Sequence, residues 1–167
     1  MKVPDSRIEI FLEMEERYRV RDAEYFRGLL KHHDFTIRAR ATCVLAELGG
    51  REYIRDLAEV LLRDENPIVR HEAAYSLGQL GYREAIPYLV ESLKRDPHPI
   101  VRHESAIALG VIGSDEASSD LEEALKDESQ DVVDSAIIAL SNIAFCKRLF
   151  TVRRDEWSEE FARKTGG

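Results

Sequence analysis

Histidine followed directly by glutamate occurs twice in the chain, at His71-Glu72 and His103-Glu104. An imidazole nitrogen beside carboxylate oxygens is a donor set that suits iron or zinc. Such ions bind at about 2.1 Å, so the two imidazoles must converge to share one. Glu72 and Glu104 could each add an oxygen, bridge ions or hold a substrate amine. His71, Glu72, His103 and Glu104 are therefore the candidate metal residues, with Glu72 and Glu104 also the candidate catalytic ones.

The elements that must position them are repeats. Four segments align without gaps: DFTIRARATCVLAELG (34–49), NPIVRHEAAYSLGQLG (66–81), HPIVRHESAIALGVIG (98–113) and SQDVVDSAIIALSNIA (129–144). The second and third are identical at 10 of 16 positions. Each follows an amphipathic stretch: AEYFRGLLKHH, REYIRDLAEVLLRD, YREAIPYLVESLKRD and DEASSDLEEALKDE. The unit reads as a first helix, a tight turn, a second helix and a glycine. Units of this length cannot bury an apolar face alone, and stacking them builds a continuous core.

Local chemistry supports the division. Gly49, Gly81 and Gly113 stand where a second helix ends in a left-handed residue. Pro67 and Pro99 suit a first helical turn, and Asp115 and Ser129 suit N-caps. Val69, Ala73, Leu77 and Leu80 form the core stripe of one second helix, repeated by Val101, Ser105, Leu109 and Ile112. His71 stands two residues beyond Val69, about 200° round the helix. It faces away from the core, toward the surface lined by second helices about 8–10 Å apart. Tyr75 and Gly78 follow it on that side, as Ile107 and Gly110 follow His103. Small residues there would leave room over a site, or simply let helices approach.

The outer repeats act as an internal control. Their aligned positions hold Ala39-Arg40 and Asp134-Ser135, so the fold itself does not demand His-Glu. The bland explanation is recent duplication of the central pair. Arg70 and Arg102 read as rungs of an Arg–Asp ladder involving Asp64 and Asp96, with Arg38 and Asp34 joining it. His32, His33 and His98 fall at turns and read as solvated.

Residues 1–19 are expected to cap the first repeat, 20–145 to hold four repeats, and 146–167 to form a C-terminal cap with Trp157 and Phe161 on one face and a frayed tail. The whole is one all-α domain: a right-handed α-solenoid of about four helical hairpins with capping helices. The 167 residues suffice for one core. With 24 basic and 32 acidic residues the formal charge is −8, which argues against a nucleic-acid binder and suits a basic partner. No run is long enough for a membrane span, and residues 1–20 do not read as a signal peptide. Cys43 and Cys146 lie in apolar segments and read as reduced thiols of a cytoplasmic protein.

The paired VRHEAA…LG frame resembles HEAT-like repeats, in particular those of phycobilin lyases and deoxyhypusine hydroxylase. The resemblance covers about residues 20–145. Four hairpins with His-Glu in the middle two resemble one half of a deoxyhypusine hydroxylase, a dinuclear iron monooxygenase that uses dioxygen to hydroxylate a modified lysine on a translation factor. That family carries four His-Glu motifs where this chain has two. The resemblance implies His71 and His103 as iron ligands, Glu104 as a third, and Glu72 as a ligand or a contact to the substrate amine. A homodimer would restore four motifs and two irons. One iron or zinc ion per chain, or a separate second half, are the other stoichiometries. The competing class is a HEAT-repeat interaction scaffold in which the four residues form a polar contact patch. A lyase or chaperone for a tetrapyrrole ranks behind both, because neither cysteine is well placed for it.

Overall fold

In the computed structural model, residues 5–152 are described. Among them α1 (Asp5–Arg19) precedes four hairpins. The hairpins are α2 (Ala23–Leu29) with α3 (Phe35–Leu48), α4 (Ile54–Arg63) with α5 (Pro67–Leu80), α6 (Ile86–Arg95) with α7 (Pro99–Ile112), and α8 (Ser118–Ala124) with α9 (Gln130–Val152). Short 3-10 turns at Arg51–Tyr53, Arg83–Ala85 and Asp115–Ala117 lead into α4, α6 and α8. The second helices pack in the order α3, α5, α7, α9 and make one layer of an all-α solenoid. The first helices make the other.

The core lies between these layers. Phe26, Leu57, Leu61, Leu89 and Leu121 of the first helices are fully buried against Ile37, Leu45, Val69, Leu77, Val101, Leu109 and Val132. Each buried leucine contributes roughly 1.5–3 kcal/mol by leaving water. Val69, Ala73 and Leu77 are buried as the stripe requires, whereas Leu80 is half-buried. Gly78 and Gly110 are spent on packing, not on open space over a site. A Cβ on Gly78 would lie 2.8 Å from the Ala108 Cα, and one on Gly110 would lie 2.7 Å from the Ala139 Cα.

Caps follow the sequence in part. Pro67 and Pro99 open α5 and α7. Gly81 and Gly113 close those helices at φ of 70° and 68°, the left-handed region that glycine enters without penalty. Gly49 does not: its φ is −101°, and α3 ends in extended backbone. Asp115 is not the N-cap of its turn. Ser114 is, accepting from the Glu116 N–H. Ser129 stands before α9, and its carbonyl accepts from Val132 and Val133. The boundary expected at 145/146 is not a break, because α9 continues to Val152. The position aligned with Gly81 and Gly113 is Ala144, so no left-handed residue stops the helix. Trp157, Phe161 and the tail lie outside the described residues.

An arginine ladder fixes the stagger between units. Arg38 reaches Asp64 at 2.7 and 2.9 Å, Arg70 reaches Asp96 at 2.6 and 2.9 Å, and Arg102 reaches Asp127 at 2.8 and 2.9 Å. Each also donates to carbonyls of its own turn: Arg38 to His32, Arg70 to Asp64, Arg102 to Asp96. Every rung thus clamps its own hairpin to the next turn. Asp34 is not paired with Arg38. It receives Arg7 from α1, which extends the ladder to the N-terminal helix.

Candidate functional site

α5 and α7 begin with proline at the same register, so His71 and His103 are each the fifth residue of their helix. The ladder and the glycine contacts then hold the two helices one repeat apart with little freedom to slide. Both histidines lie off the core stripe and are half-buried.

The structure brings together three of the four expected residues. His71 Nε2 lies 3.3 Å from Glu104 Oε2 on the neighbouring helix, and His71 Nδ1 lies 3.7 Å from Glu72 Oε1 on its own. Side-chain exposure is 25% for His71, 30% for Glu72 and only 10% for Glu104. The carboxylates face opposite nitrogens of one ring, so the imidazole separates them. The carboxylate of Glu104, and then that of Glu72, outweighs burial and raises the His71 pKa to about 9. Glu72 is held below the usual carboxylate range, chiefly by His71 and against the effect of burial.

His103 does not join this group. Its Nδ1 lies 2.6 Å from Ser135 Oγ and 3.4 Å from the Asp131 carbonyl, both on α9. The histidines therefore do not lean toward each other. Each reaches forward one repeat, to the residue in the glutamate column of the next second helix: Glu104 for His71, Ser135 for His103. Among the described residues no group of three or more His, Cys, Asp or Glu is placed to hold one metal ion.

Two participants were not singled out from the sequence. Cys43 of α3 donates its thiol to Glu72 Oε2 at 2.9 Å. Burial, and then the Glu72 carboxylate, push the Cys43 pKa up to about 12. Cys43 occupies the column of Tyr75 and Ile107, and that shared face was its only signal. Ser135 served as the control residue showing that the fold can do without His-Glu, yet it is the partner of His103. In the first repeat the same column holds Arg40, whose guanidinium lies 4.1 Å from the centre of the Phe11 ring of α1. That end is used to seat the N-terminal helix. His32 is not simply solvated, since its Nδ1 accepts from the Asp34 N–H. His33 and His98 are exposed.

Residues 54–141 match the family model for HEAT repeats, which is more than half of the chain. The chain therefore belongs to the HEAT repeat family. Among solved structures it is similar to human deoxyhypusine hydroxylase in complex with glycerol, with 24% identity and a TM-score of 0.68. The match covers 93% of this chain and 63% of that one, so this chain spans less than two thirds of that protein's length. No curated protein matches. Among the described residues no helix is long and apolar enough to cross a membrane.

Proposed function

We propose that the chain is a metal-dependent monooxygenase of the deoxyhypusine hydroxylase kind, with a site completed by a second copy of the chain. The observation that carries this reading is the His71–Glu104 pair. A separation of 3.3 Å is that of an ion pair when the ring is charged. It is also that of two donors sharing one ion at about 2.1 Å each. The fit is to half of a site. His71 Nε2 and Glu104 would hold the ion, and Glu72 would take the Nδ1–H, the carboxylate–histidine arrangement that orients a metal-bound imidazole. The expectation of Glu72 as ligand thus becomes one of Glu72 as orienting group.

The described residues of one chain offer too few converging donors, and a two-fold partner is the commonest way to supply more. Iron is the ion the resemblance names, and when bound it would supply the activation of dioxygen. The protein's own part is to present carboxylates to a cationic, lysine-derived side chain on a translation factor. The formal charge of −8 suits such a substrate. Exposed Ile68 and Tyr75 border His71 and would pack along the alkyl part of that side chain.

The test is metal content per chain, by plasma mass spectrometry on protein purified without chelator, with solution mass measured on the same sample. About one iron per chain in a species of twice the chain mass supports the proposal. A monomer that stays metal-free after anaerobic iron(II) loading sinks it, and leaves a HEAT-repeat interaction scaffold.

A further inference from the structure

Ser135 makes two short contacts, and together they determine where the hydrogen of His103 sits. Its Oγ lies 2.6 Å from the Asp131 carbonyl and 2.6 Å from His103 Nδ1. A hydroxyl has one hydrogen to give. A carbonyl oxygen can only accept, so at 2.6 Å the hydroxyl hydrogen must lie between Ser135 and Asp131. The alternative leaves two acceptor oxygens in contact with nothing between them. The Ser135 lone pair then faces Nδ1, and Nδ1 must carry the hydrogen. The Asp131 carbonyl, 3.4 Å from the same nitrogen, favours the same assignment. Ser135 is 2% exposed, so water does not compete for these bonds. Among the described residues Nε2 of His103 has no hydrogen bond or ion pair. In the neutral ring it carries the free lone pair.

We propose that Ser135 is a positioning residue that holds His103 in its Nδ1–H form, leaving Nε2 as the nitrogen that meets a Lewis-acidic ion. For what Nε2 meets, this rests on the metal reading above: His103 stands apart from the His71–Glu104 pair of its own chain, so its ion would be the one held by the second copy. The tautomer itself does not rest on that reading. The arrangement gives both histidines one plan. Nδ1 faces an acceptor, Glu72 for His71 and Ser135 for His103, and Nε2 is the working nitrogen. The glutamate column of the last repeat thus has a use without glutamate. An acceptor is needed there to orient His103, and a serine held by its own helix carbonyl supplies one.

Long-range 1H–15N correlation spectra of the metal-free protein at pH 8 read the tautomer of His103 directly. The expected spectrum is that of Nδ1–H. An Nε2–H spectrum in the wild-type protein overturns the proposal, with no variant required. Ser135→Ala removes the acceptor and should move the ring toward Nε2–H, with at least tenfold weaker binding of cobalt(II), followed by its visible absorption. Ser135→Thr keeps the hydroxyl and should restore both. An Nδ1–H ring that persists in Ser135→Ala also overturns the proposal. A wild-type protein with the Nδ1–H ring that takes up no cobalt(II) supports the tautomer assignment and overturns the metal reading instead.

Discussion

His71 of α5 and Glu104 of α7 face each other across the groove between two second helices, Nε2 to Oε2 at 3.3 Å. Neither residue is held this way by its own helix. The contact exists because each repeat advances the next by a fixed step. A pair that looked like neighbours in sequence, His71 with Glu72, is the looser of the two at 3.7 Å.

This pairing has a pH signature in metal-free protein. The His71 pKa is raised to about 9 from an unfolded value of about 6.5. The stabilisation from its charged form is complete below pH about 6.5 and is lost as pH rises through about 9. With the side chain a quarter exposed, it is on the order of 2 kcal/mol. Glu104→Gln should lower the His71 pKa measured by NMR by more than Glu72→Gln does. It should also flatten the fall in thermal stability between pH 7 and 10. Equal effects of the two variants would contradict the geometry.

Cys43 should be inert while the protein is folded. Burial and the Glu72 carboxylate push its pKa to about 12, so at pH 8 the thiolate fraction is roughly a thousandfold below that of a free cysteine. Timed alkylation with iodoacetamide, read by peptide mass spectrometry, should leave Cys43 unmodified until denaturant is added. Glu72→Gln removes the negative charge beside the thiol and should speed the reaction. Rapid labelling in the native wild-type protein would mean that Cys43 does not donate to Glu72.

The hairpins were legible because their signals are local: a 32-residue step, proline at a helix start, glycine at a helix end. They failed where an aligned residue changed its surroundings. Gly49 keeps its letter but not its left-handed backbone, and Ala144 lets α9 run on where a glycine would have stopped it. The site was legible as a face and not as a set of contacts. Helical periodicity put His71 and His103 on the same side of their helices. It could not show that each ring points forward along the stack, because that depends on side-chain torsions and on the stagger set by the arginine rungs. Ser135 and Cys43 were hidden for the same reason: their roles are defined across helices, by partners one repeat away.

At Gly78 the backbone of α5 lies close against Ala108 of α7, so this glycine tests the packing that positions the site. A methyl group there would meet the backbone of Ala108 at 2.8 Å, too close for any rotamer change to relieve. Gly78→Ala should therefore cost about 1–3 kcal/mol by overpacking, although alanine is the better helix former by about 1 kcal/mol. A lowered urea midpoint checks this. The helices can relieve the contact only by separating. The His71–Glu104 distance should then lengthen, and the His71 pKa should fall toward its ordinary value.

The arginine rungs should be intolerant even of a conserved charge. Arg70 is 9% exposed and Asp96 is nearly sealed, with 5% of its side chain accessible. The guanidinium spends two nitrogens on the Asp96 carboxylate and a third on the Asp64 carbonyl. An ammonium group is a single point donor on a flexible stem and cannot match that fork. Arg70→Lys should therefore destabilise the protein, and Arg70→Ala should do so by about 3–5 kcal/mol, because it leaves a buried carboxylate without its counter-charge. Asp96→Asn in the Arg70→Ala background should recover part of the loss by removing that charge. A double-mutant cycle in urea measures the coupling. If Arg70→Lys unfolds at the wild-type midpoint, the bidentate geometry contributes nothing, and the stagger between repeats is set by the glycine contacts alone.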